Sequence, residues 1–203
     1  MNETDMLFYG SYAPRLKEIT RELLKKVRMI LDGISSDTET APAEHLKARI
    51  KSTDSVREKL QLNGYAATAE SGLRQLSDII GLRVVTHFVG DIYTVLEQMQ
   101  QDPSWRVVLI KDYIANPKPN GYRSLHIILA IPFNCEGIDN IMVEVQLRTI
   151  AMDCWASLEH QLKYKKNIKN ANLIVDELKR CADEMASTDL TMQTIRDLIQ
   201  RGN

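Results

Sequence analysis

The 203-residue sequence contains no apolar run that could cross a membrane and no start typical of secretion. A bilayer-spanning helix needs about 20 consecutive, mainly apolar residues, and every apolar stretch of this chain is much shorter. The opening MNETDMLFYG lacks the basic start and the apolar centre of a signal peptide. We therefore expect a cytoplasmic protein that does not associate with a membrane.

Cysteine and net charge are also scarce. The three cysteines, Cys135, Cys154 and Cys181, are far apart and form no CxxC pair, which argues against a disulfide or zinc framework. The formal net charge is −1, so no general field for polyanions is expected and any basic site must be local. Hydrophobic residues make up 44% and charged residues 26%, as in an ordinary soluble globular protein.

Hydrophobic periodicity predicts an α+β fold. Helices are predicted over 7–32, 73–80, 90–101, 151–165 and 171–202. A further helix is predicted to begin at a capping box formed by Ser55 and Glu58 and to end at Gly64. A polar linker follows Gly33, and Pro132 is expected to end a strand. Strands are predicted at 45–51, 82–88, 105–110, 125–131 and 141–148. The last three strands have no helix between them, so we expect a mixed sheet of about five strands flanked by helices.

The strand at 141–148 carries polar side chains on one face. Its residues alternate between an apolar face and a more polar one: Ile141, Val143, Val145 and Leu147 against Met142, Glu144, Gln146 and Arg148. In the middle of a helix-flanked sheet, the stacked carboxylate, amide and guanidinium would line a water-filled cleft. On an antiparallel edge strand, they would form an ordinary exposed face. The pattern alone leaves both interpretations open.

A second carboxylate, Asp78, precedes the strand at 82–88. If Asp78 and Glu144 come together from their separate elements, they repel each other unless a cation lies between them. Magnesium prefers such oxygen ligands and takes the rest of its shell from water and phosphates. The alternative is that Asp78 is a solvated residue at a helix end.

Two further segments could bind a nucleotide. Arg49, Lys51, Arg57 and Lys59 form a basic cluster around a helix start, which suits a triphosphate, although short basic patches are common on solvated surfaces.

The second segment is the loop within 111–126, which two prolines and Gly121 turn and rigidify. It could hold Lys118, Tyr122 and His126 for stacking on a purine and contacting phosphates. A packed tyrosine in an ordinary ordered loop is the alternative.

Five motifs in order resemble the synthetase domain of the RelA/SpoT homologue family. They are RIKSTDSVREKL, LSDIIGLRVV, DYIANPKPNGYRSLH, VEVQLRT and WASLEHQLKYK, and together they cover about residues 44–166. The family fold is a mixed sheet related to the nucleotidyltransferases. Long members also carry a metal-dependent hydrolase domain, but only four histidines occur here and none forms a His-Asp pair. The chain thus resembles the small, single-domain alarmone synthetases.

The resemblance implies a GTP pyrophosphokinase that makes (p)ppGpp without hydrolysing it. Such an enzyme transfers the β,γ-pyrophosphate of ATP to the 3′-hydroxyl of GDP, GTP or GMP, with Mg²⁺ as cofactor. The implied organisation is a helical extension and linker at 1–40, the synthetase domain at 41–168 and a helical extension at 169–203. The flanking helices would assemble a homo-oligomer, with a tetramer favoured.

The resemblance also implies roles for twelve residues. Those expected to bind ATP are Arg49, Lys51, Lys59 and Arg83. Those expected to hold magnesium and serve catalysis are Asp78 and Glu144, with Glu144 ligating the metal, accepting the 3′-hydroxyl proton or both. Those expected around the guanine nucleotide are Lys118, Tyr122, His126, Gln146, Arg148 and Asp153.

Two positions depart from the family pattern. Leu62 stands where small synthetases often have an arginine that contacts ATP, so one ATP contact is expected to be missing. Asp153 stands where an asparagine is common. An ionised aspartate only accepts hydrogen bonds, which still suits the N1–H and N2–H₂ donors of guanine and disfavours adenine.

Two alternative functions remain at this stage. Toxic relatives in the family pyrophosphorylate the 3′ CCA end of tRNA and share the same motifs. The stretch Lys163-Tyr164-Lys165-Lys166, with Lys25, Lys26 and Arg28, could meet RNA phosphates or be solvated. The other alternative is an inactive nucleotide- or RNA-binding member, against which the intact acidic and basic residues argue.

Overall fold

The computed structural model of the chain describes residues 1–38, 41–163 and 171–202. Seven helices and five strands lie in these ranges. The helices are α1 (Glu3–Tyr9), α2 (Tyr12–Thr38), α3 (Thr53–Leu62), α4 (Ala69–Gln75), α5 (Val89–Gln101), α6 (Ile150–Lys163) and α7 (Ala171–Arg201). The strands are β1 (Ala43–Ile50), β2 (Ile80–Thr86), β3 (Arg106–Asp112), β4 (Leu125–Cys135) and β5 (Ile138–Thr149).

The five strands form one mixed sheet in the order β1-β2-β5-β4-β3. Strands β2 and β5 pair in parallel, and the other three pairs are antiparallel. This confirms the predicted fold class. Strand β5 has a neighbour on each side, so the interpretation of its polar residues as an edge-strand face is wrong.

The two faces of β5 have different surroundings. Its four alternating apolar residues, Ile141, Val143, Val145 and Leu147, are almost completely buried in the core. The same core contains the inner side of α2, with Leu16, Ile19, Leu23 and Val27. The opposite face carries Glu144, Gln146 and Arg148 and lies over a cleft. Because side chains alternate along a strand, one sequence pattern supplies both the core and the cleft.

The N-terminal helical region differs from the prediction. The single helix expected over 7–32 is two helices, which meet at Gly10, where φ is 51°. Helix α2 then continues past Gly33 to Thr38, into the segment predicted to be a linker. A glycine inside a helix costs about 1 kcal/mol relative to alanine. Burial of Ile34 on the core side gains about 1.5–3 kcal/mol, which is enough to continue the helix.

Two further local predictions were wrong. Helix α3 begins at Thr53, and its N-cap residue Ser52 makes no side-chain cap hydrogen bond, so the capping box expected at Ser55 and Glu58 does not open it. Strand β4 continues through Pro132 to Cys135, with a register irregularity after Pro132. Strand β3 pairs with β4 only as far as Ala130, so a residue without an N–H is tolerated beyond that point.

Helix α6 packs against β5 and β2, and helix α7 packs against α6 and α5. Helix α6 is described as far as Lys163, and the remainder of its predicted range, Tyr164 and Lys165, lies outside the described residues, as does Lys166. Helix α7 runs without interruption to Arg201. None of the helices in the described ranges is both long enough and apolar enough to span a membrane.

Candidate active site

The cleft over the sheet is lined by the polar faces of β1, β2 and β5. It has a volume of about 250 Å³ and is bordered by nine residues: Lys47, Ala48, Arg49, Asp78, Gly81, Leu82, Arg83, Glu144 and Gln146. The strand register explains this grouping, because Lys47 pairs with Arg83, Arg83 with Gln146, and Gln146 with His126. Residues paired in this way share one face of the sheet, so four strands deliver cations, an amide and an imidazole to one row.

Asp78 lies between two lysines. It is in the loop between α4 and β2 rather than at the end of a helix as predicted, and it is 8% exposed. Its Oδ2 accepts hydrogen bonds from Lys51 Nζ at 2.6 Å and Lys59 Nζ at 3.0 Å. Burial opposes ionisation, but the two ammonium groups outweigh it and lower the pKa of Asp78. The alternative of a freely solvated Asp78 is therefore wrong.

Glu144 is the second ionised carboxylate of the cleft. Its Oε1 lies 3.2 Å from Nδ1 of His126, and its Oε2 accepts a 2.7 Å hydrogen bond from Nε2 of Gln146. Burial raises the pKa of this carboxyl group, but the hydrogen bond and charge of His126, followed by Gln146 and Lys59, lower it to about 2. Both predicted acidic residues are thus ionised at neutral pH and border the same cleft.

Five side chains form a closed hydrogen-bonded ring at one end of the cleft. Nη2 of Arg148 donates to the Tyr122 hydroxyl at 2.7 Å and to Oε1 of Gln146 at 3.0 Å. The Tyr122 hydroxyl lies 2.8 Å from Nε2 of His126, and both His126 and Gln146 contact Glu144. A proton on Nδ1 of His126 lets both branches of the ring donate towards Glu144.

Asp153 joins this ring to the basic side of the cleft. Its Oδ1 accepts hydrogen bonds from Nη1 of Arg148 and Nη1 of Arg83, each at 3.0 Å. Burial and then the nearby Arg148 lower the pKa of Arg83. The charge of Asp153 therefore holds two guanidinium groups side by side, a task that a neutral asparagine would perform less well.

The loop between β3 and β4 packs its aromatic rings against the ring of polar side chains. Lys118 and Gly121 close a turn through a 2.8 Å backbone hydrogen bond, and Gly121 adopts a φ of 88°, which only glycine reaches readily. The Lys118 ammonium lies 4.7 Å from the centroid of Tyr113 and 5.0 Å from that of Tyr122. The loop therefore presents an exposed cation over two aromatic rings.

The twelve predicted residues form one connected group. Five of them border the cleft: Arg49, Asp78, Arg83, Glu144 and Gln146. Asp78 binds Lys51 and Lys59. The remaining five are connected through hydrogen bonds or ring contacts: Lys118, Tyr122, His126, Arg148 and Asp153. Sequence reasoning missed Lys47, although its spacing of two from Arg49 and four from Lys51 predicted that it shares their strand face. It also gave no role to Tyr113, for which no pattern gave a signal. Leu62 is 80% exposed on α3.

The acidic pair fits a divalent cation of the magnesium type. Within the described residues, Oδ1 of Asp78 is buried and has no hydrogen-bond partner, so it is an unused carboxylate oxygen. The described residues contain no group of three or more acidic, histidine or cysteine side chains that could hold a metal. Asp78 and Glu144 would therefore supply two oxygen ligands, and substrate phosphates and water would have to complete the shell.

Comparison with known proteins connects this geometry to a family. A model of the region found in RelA / SpoT proteins matches residues 48–169, more than half of the chain. The chain belongs to the RelA/SpoT family. The matched region of this RelA/SpoT protein runs from the middle of β1 past the end of α6 and contains all the predicted site residues.

Individual relatives cover most of the chain. GTP pyrophosphokinase YwaC of Bacillus subtilis is 44% identical over 143 residues, which are 70% of this chain and 68% of that protein. GTP pyrophosphokinase YjbM of the same species is 31% identical over 185 residues, 89% of this chain and 86% of that protein. The crystal structure of small alarmone synthetase 1 from B. subtilis bound to its product pppGpp is 30% identical, has a TM-score of 0.80 and aligns with 92% of this chain and 95% of its own.

The low pKa of Glu144 predicts a pH-dependent stability difference. Because the pKa falls from 4.5 to about 2 on folding, ionised Glu144 stabilises the fold fully above pH 4.5, and this contribution is lost as the pH falls towards 2. We expect Glu144→Gln to lower the thermal unfolding midpoint at pH 7 and the difference from wild type to shrink in acid. Glu97→Gln, on the exposed side of α5, is the matched control. A difference between Glu144→Gln and wild type that does not change between pH 7 and pH 3 would contradict the assigned environment.

Proposed function

We infer that this protein is a (p)ppGpp synthetase. It transfers the β,γ-pyrophosphate of ATP to the 3′-hydroxyl of GDP or GTP and releases AMP. The observation that carries this proposal is the pairing of two ionised carboxylates in one cleft with fixed cations on one side and an aromatic, cationic loop on the other. Two relatives of high coverage that are named GTP pyrophosphokinases support the same activity.

The basic side of the cleft suits the triphosphate of ATP. Arg49 and Arg83 border the cleft, and Lys51 and Lys59 reach it through Asp78. Because these four side chains come from β1, the turn after it, α3 and β2, they present positive charge to the phosphates from several directions. We propose that they align the β-phosphorus for attack and neutralise charge during transfer.

Asp78 and Glu144 are the proposed ligands of Mg²⁺. Held by these two carboxylates, a magnesium ion would supply neutralisation of the negative charge on the phosphates during transfer. The pKa of about 2 at Glu144 keeps its carboxylate free of a proton for this purpose. It also makes Glu144 a weak base, so we propose that it orients the 3′-hydroxyl and takes its proton only as the new bond to the β-phosphorus forms.

The aromatic loop suits the guanine nucleotide. We propose that the base stacks on Tyr122, with Lys118 and His126 near the acceptor phosphates. Gln146 and Arg148 would line the pocket, and Nε of Arg148 is buried without a hydrogen-bond partner among the described residues. Asp153 would accept from the donors on the guanine edge while it holds the two arginines. The 3′-oxygen then attacks the β-phosphorus, the bond from that phosphorus to the α,β-bridging oxygen breaks, and AMP leaves.

We further propose a cytoplasmic homo-oligomer, with a tetramer favoured. Helix α7 exposes a run of large apolar side chains: Leu190, Met192, Ile195, Leu198 and Ile199. Exposed apolar patches of this kind mark interaction surfaces, and a second copy of the chain is the proposed partner. The alternative of an RNA-binding surface concerns α2, where Lys25, Lys26 and Arg28 would contact RNA phosphates.

The proposed reaction predicts that one defined variant forms both products much more slowly. With ATP, Mg²⁺ and GDP, the wild type should release AMP and form ppGpp, and Glu144→Gln should lower the rate at least about a hundredfold, because a catalytic acid or base contributes typically 10²–10⁴-fold. Ion-exchange chromatography measures both products, and Glu97→Gln is the control. Activity of Glu144→Gln close to that of wild type would contradict the assigned role.

The same assay separates the alternative functions. GDP, GTP, GMP and deacylated tRNA are offered in turn as the acceptor. Transfer to tRNA without transfer to any nucleotide would favour the toxic type of relative. Absence of transfer to every acceptor by a folded wild type would favour an inactive binding protein.

The proposed assembly predicts an effect of one exposed leucine. Leu198, which is 63% exposed, should become buried between copies, so Leu198→Gln should shift the mass towards the monomer. Leu62→Gln is the matched control, because Leu62 is still more exposed but lies on α3. Light scattering after size-exclusion chromatography measures the masses. A monomeric wild type would contradict the proposed interface. So would an unchanged mass in both of the single variants Leu198→Gln and Ile195→Gln.

A further inference from the structure

Helix α1 contacts the turn that joins β1 to α3. The family model matches from residue 48 onwards, so α1 lies outside the matched region. Three side chains of α1 nevertheless contact residues 51–57. They are Asp5, Phe8 and Tyr9, which contact Thr53, Arg57 and Lys51 respectively. One short helix thus contacts both the turn that carries Lys51 and the start of α3, the helix that carries Lys59.

Tyr9 fixes the main chain of Lys51. The Tyr9 side chain is 1% exposed, and its hydroxyl donates a 2.7 Å hydrogen bond to the Lys51 carbonyl oxygen. The Lys51 N–H donates to the carbonyl oxygen of Ile79 at 2.8 Å. Burial, followed by the charges of Asp5 and Asp78, raises the pKa of the Tyr9 phenol, so it remains a donor. The backbone of Lys51 is therefore held on both sides while its ammonium reaches Asp78.

Asp5 caps the helix that carries Lys59. Ser52, at the N-cap position of α3, makes no side-chain cap hydrogen bond. Oδ1 of Asp5 instead accepts from the backbone N–H and the hydroxyl of Thr53, each at 2.9 Å. A carboxylate at this position satisfies a free N–H and interacts favourably with the helix dipole. Phe8 adds a contact with Arg57, whose guanidinium carbon lies 5.2 Å from the ring centroid.

We propose that α1 is a positioning element for ATP, in which Tyr9 and Asp5 are positioning residues that act through Lys51 and Lys59. The inference rests on the proposed function, because it assumes that these lysines meet the triphosphate. Its physical basis is preorganisation. A lysine that is already held in place loses less conformational freedom when the phosphates bind.

The location of these contacts makes the proposal specific to one substrate. Tyr9 and Asp5 contact Lys51 and Thr53, between the end of β1 and the start of α3. The acceptor loop lies at the other end of the cleft. Its residues Asn120 and Arg123 bond to α6 and α7, and Asp112, which precedes the loop, bonds to α5. Loss of a positioning contact should therefore weaken the binding of ATP and leave the binding of the guanine nucleotide unchanged. A purely structural role would affect both substrates alike.

The first test removes one hydroxyl group. Tyr9→Phe keeps the packing and deletes the hydrogen bond to Lys51. Because such a bond contributes about 0.5–1.5 kcal/mol, the Kd for α,β-methylene-ATP, measured by calorimetry with Mg²⁺, should rise about two- to tenfold. The KM for ATP should rise in step, with the KM for GDP unchanged. Tyr12→Phe is the matched control, because that ring packs against Phe133 and not against the turn.

The second test uses Asp5. Asp5→Ala removes the acceptor for Thr53, whereas Asp5→Asn retains an acceptor oxygen without the charge. We expect a higher Kd for α,β-methylene-ATP in Asp5→Ala and substantial recovery in Asp5→Asn. If Tyr9→Phe folds poorly, the Asp5 pair provides the same comparison.

The outcomes separate this inference from the proposed function. Unchanged Kd values for α,β-methylene-ATP in both Tyr9→Phe and Asp5→Ala, or equal rises in the KM values of ATP and GDP, would overturn the positioning role. Because the analogue has no oxygen bridge between the α- and β-phosphorus atoms, its binding does not depend on turnover. A wild type that binds it but forms no AMP from ATP would instead overturn the proposed activity.

Discussion

The structure depends on the cost of placing two carboxylates in one partly buried cleft over the sheet. Asp78 and Glu144 are each largely buried, and burial opposes the ionisation of both. Two lysines beside Asp78, and an imidazole and an amide beside Glu144, reverse that effect. Removal of either set of partners would leave an uncompensated charge in the cleft, so the basic and amide residues are as necessary to the fold as to binding.

The elements that hold the partners of the two carboxylates fall into two halves, one at each end of the cleft. One half comprises α1, β1 and α3, which hold the lysines beside Asp78. The other comprises β4, the loop before it, and the helices that support the loop. Arg123 of that loop bonds to Asp183 of α7 at 2.9 Å, and a Cβ at Gly121 would lie 2.7 Å from that of Ala182. The helix with the exposed apolar residues is therefore in direct contact with the proposed acceptor loop, so the proposed assembly and the proposed acceptor binding would share one structural element.

Local patterns predicted the sheet and its polar face because strand alternation is a local property. The apolar and polar residues of 141–148 identified the inner and outer faces of β5, and three successive strands without helices identified a mixed sheet. The same patterns left open whether that strand was central or at an edge, because neighbours in a sheet are chosen by long-range contacts. The roles proposed for the site residues came from the resemblance to a family, and periodicity alone would not have assigned them.

The errors have a common physical cause. Ser55 and Glu58 matched a local capping signature, but Asp5, 48 residues before Thr53, supplies the cap. Gly33 resembled a helix stop, but packing of Ile34 on the core continues the helix. In each case a contact between distant parts of the chain outweighed a local preference of about 1 kcal/mol. Lys47 was missed although the signal was present, since it shares its strand face with Arg49.

We propose that Asp78 and Glu144 bind one divalent cation together with the phosphates of ATP. Binding of Mn²⁺, as a paramagnetic substitute for Mg²⁺, can be measured by electron paramagnetic resonance in the presence of α,β-methylene-ATP. We expect one nucleotide-dependent Mn²⁺ per chain in the wild type and a loss of affinity of at least about tenfold in both Asp78→Asn and Glu144→Gln. Wild-type Mn²⁺ affinity in either variant would contradict it.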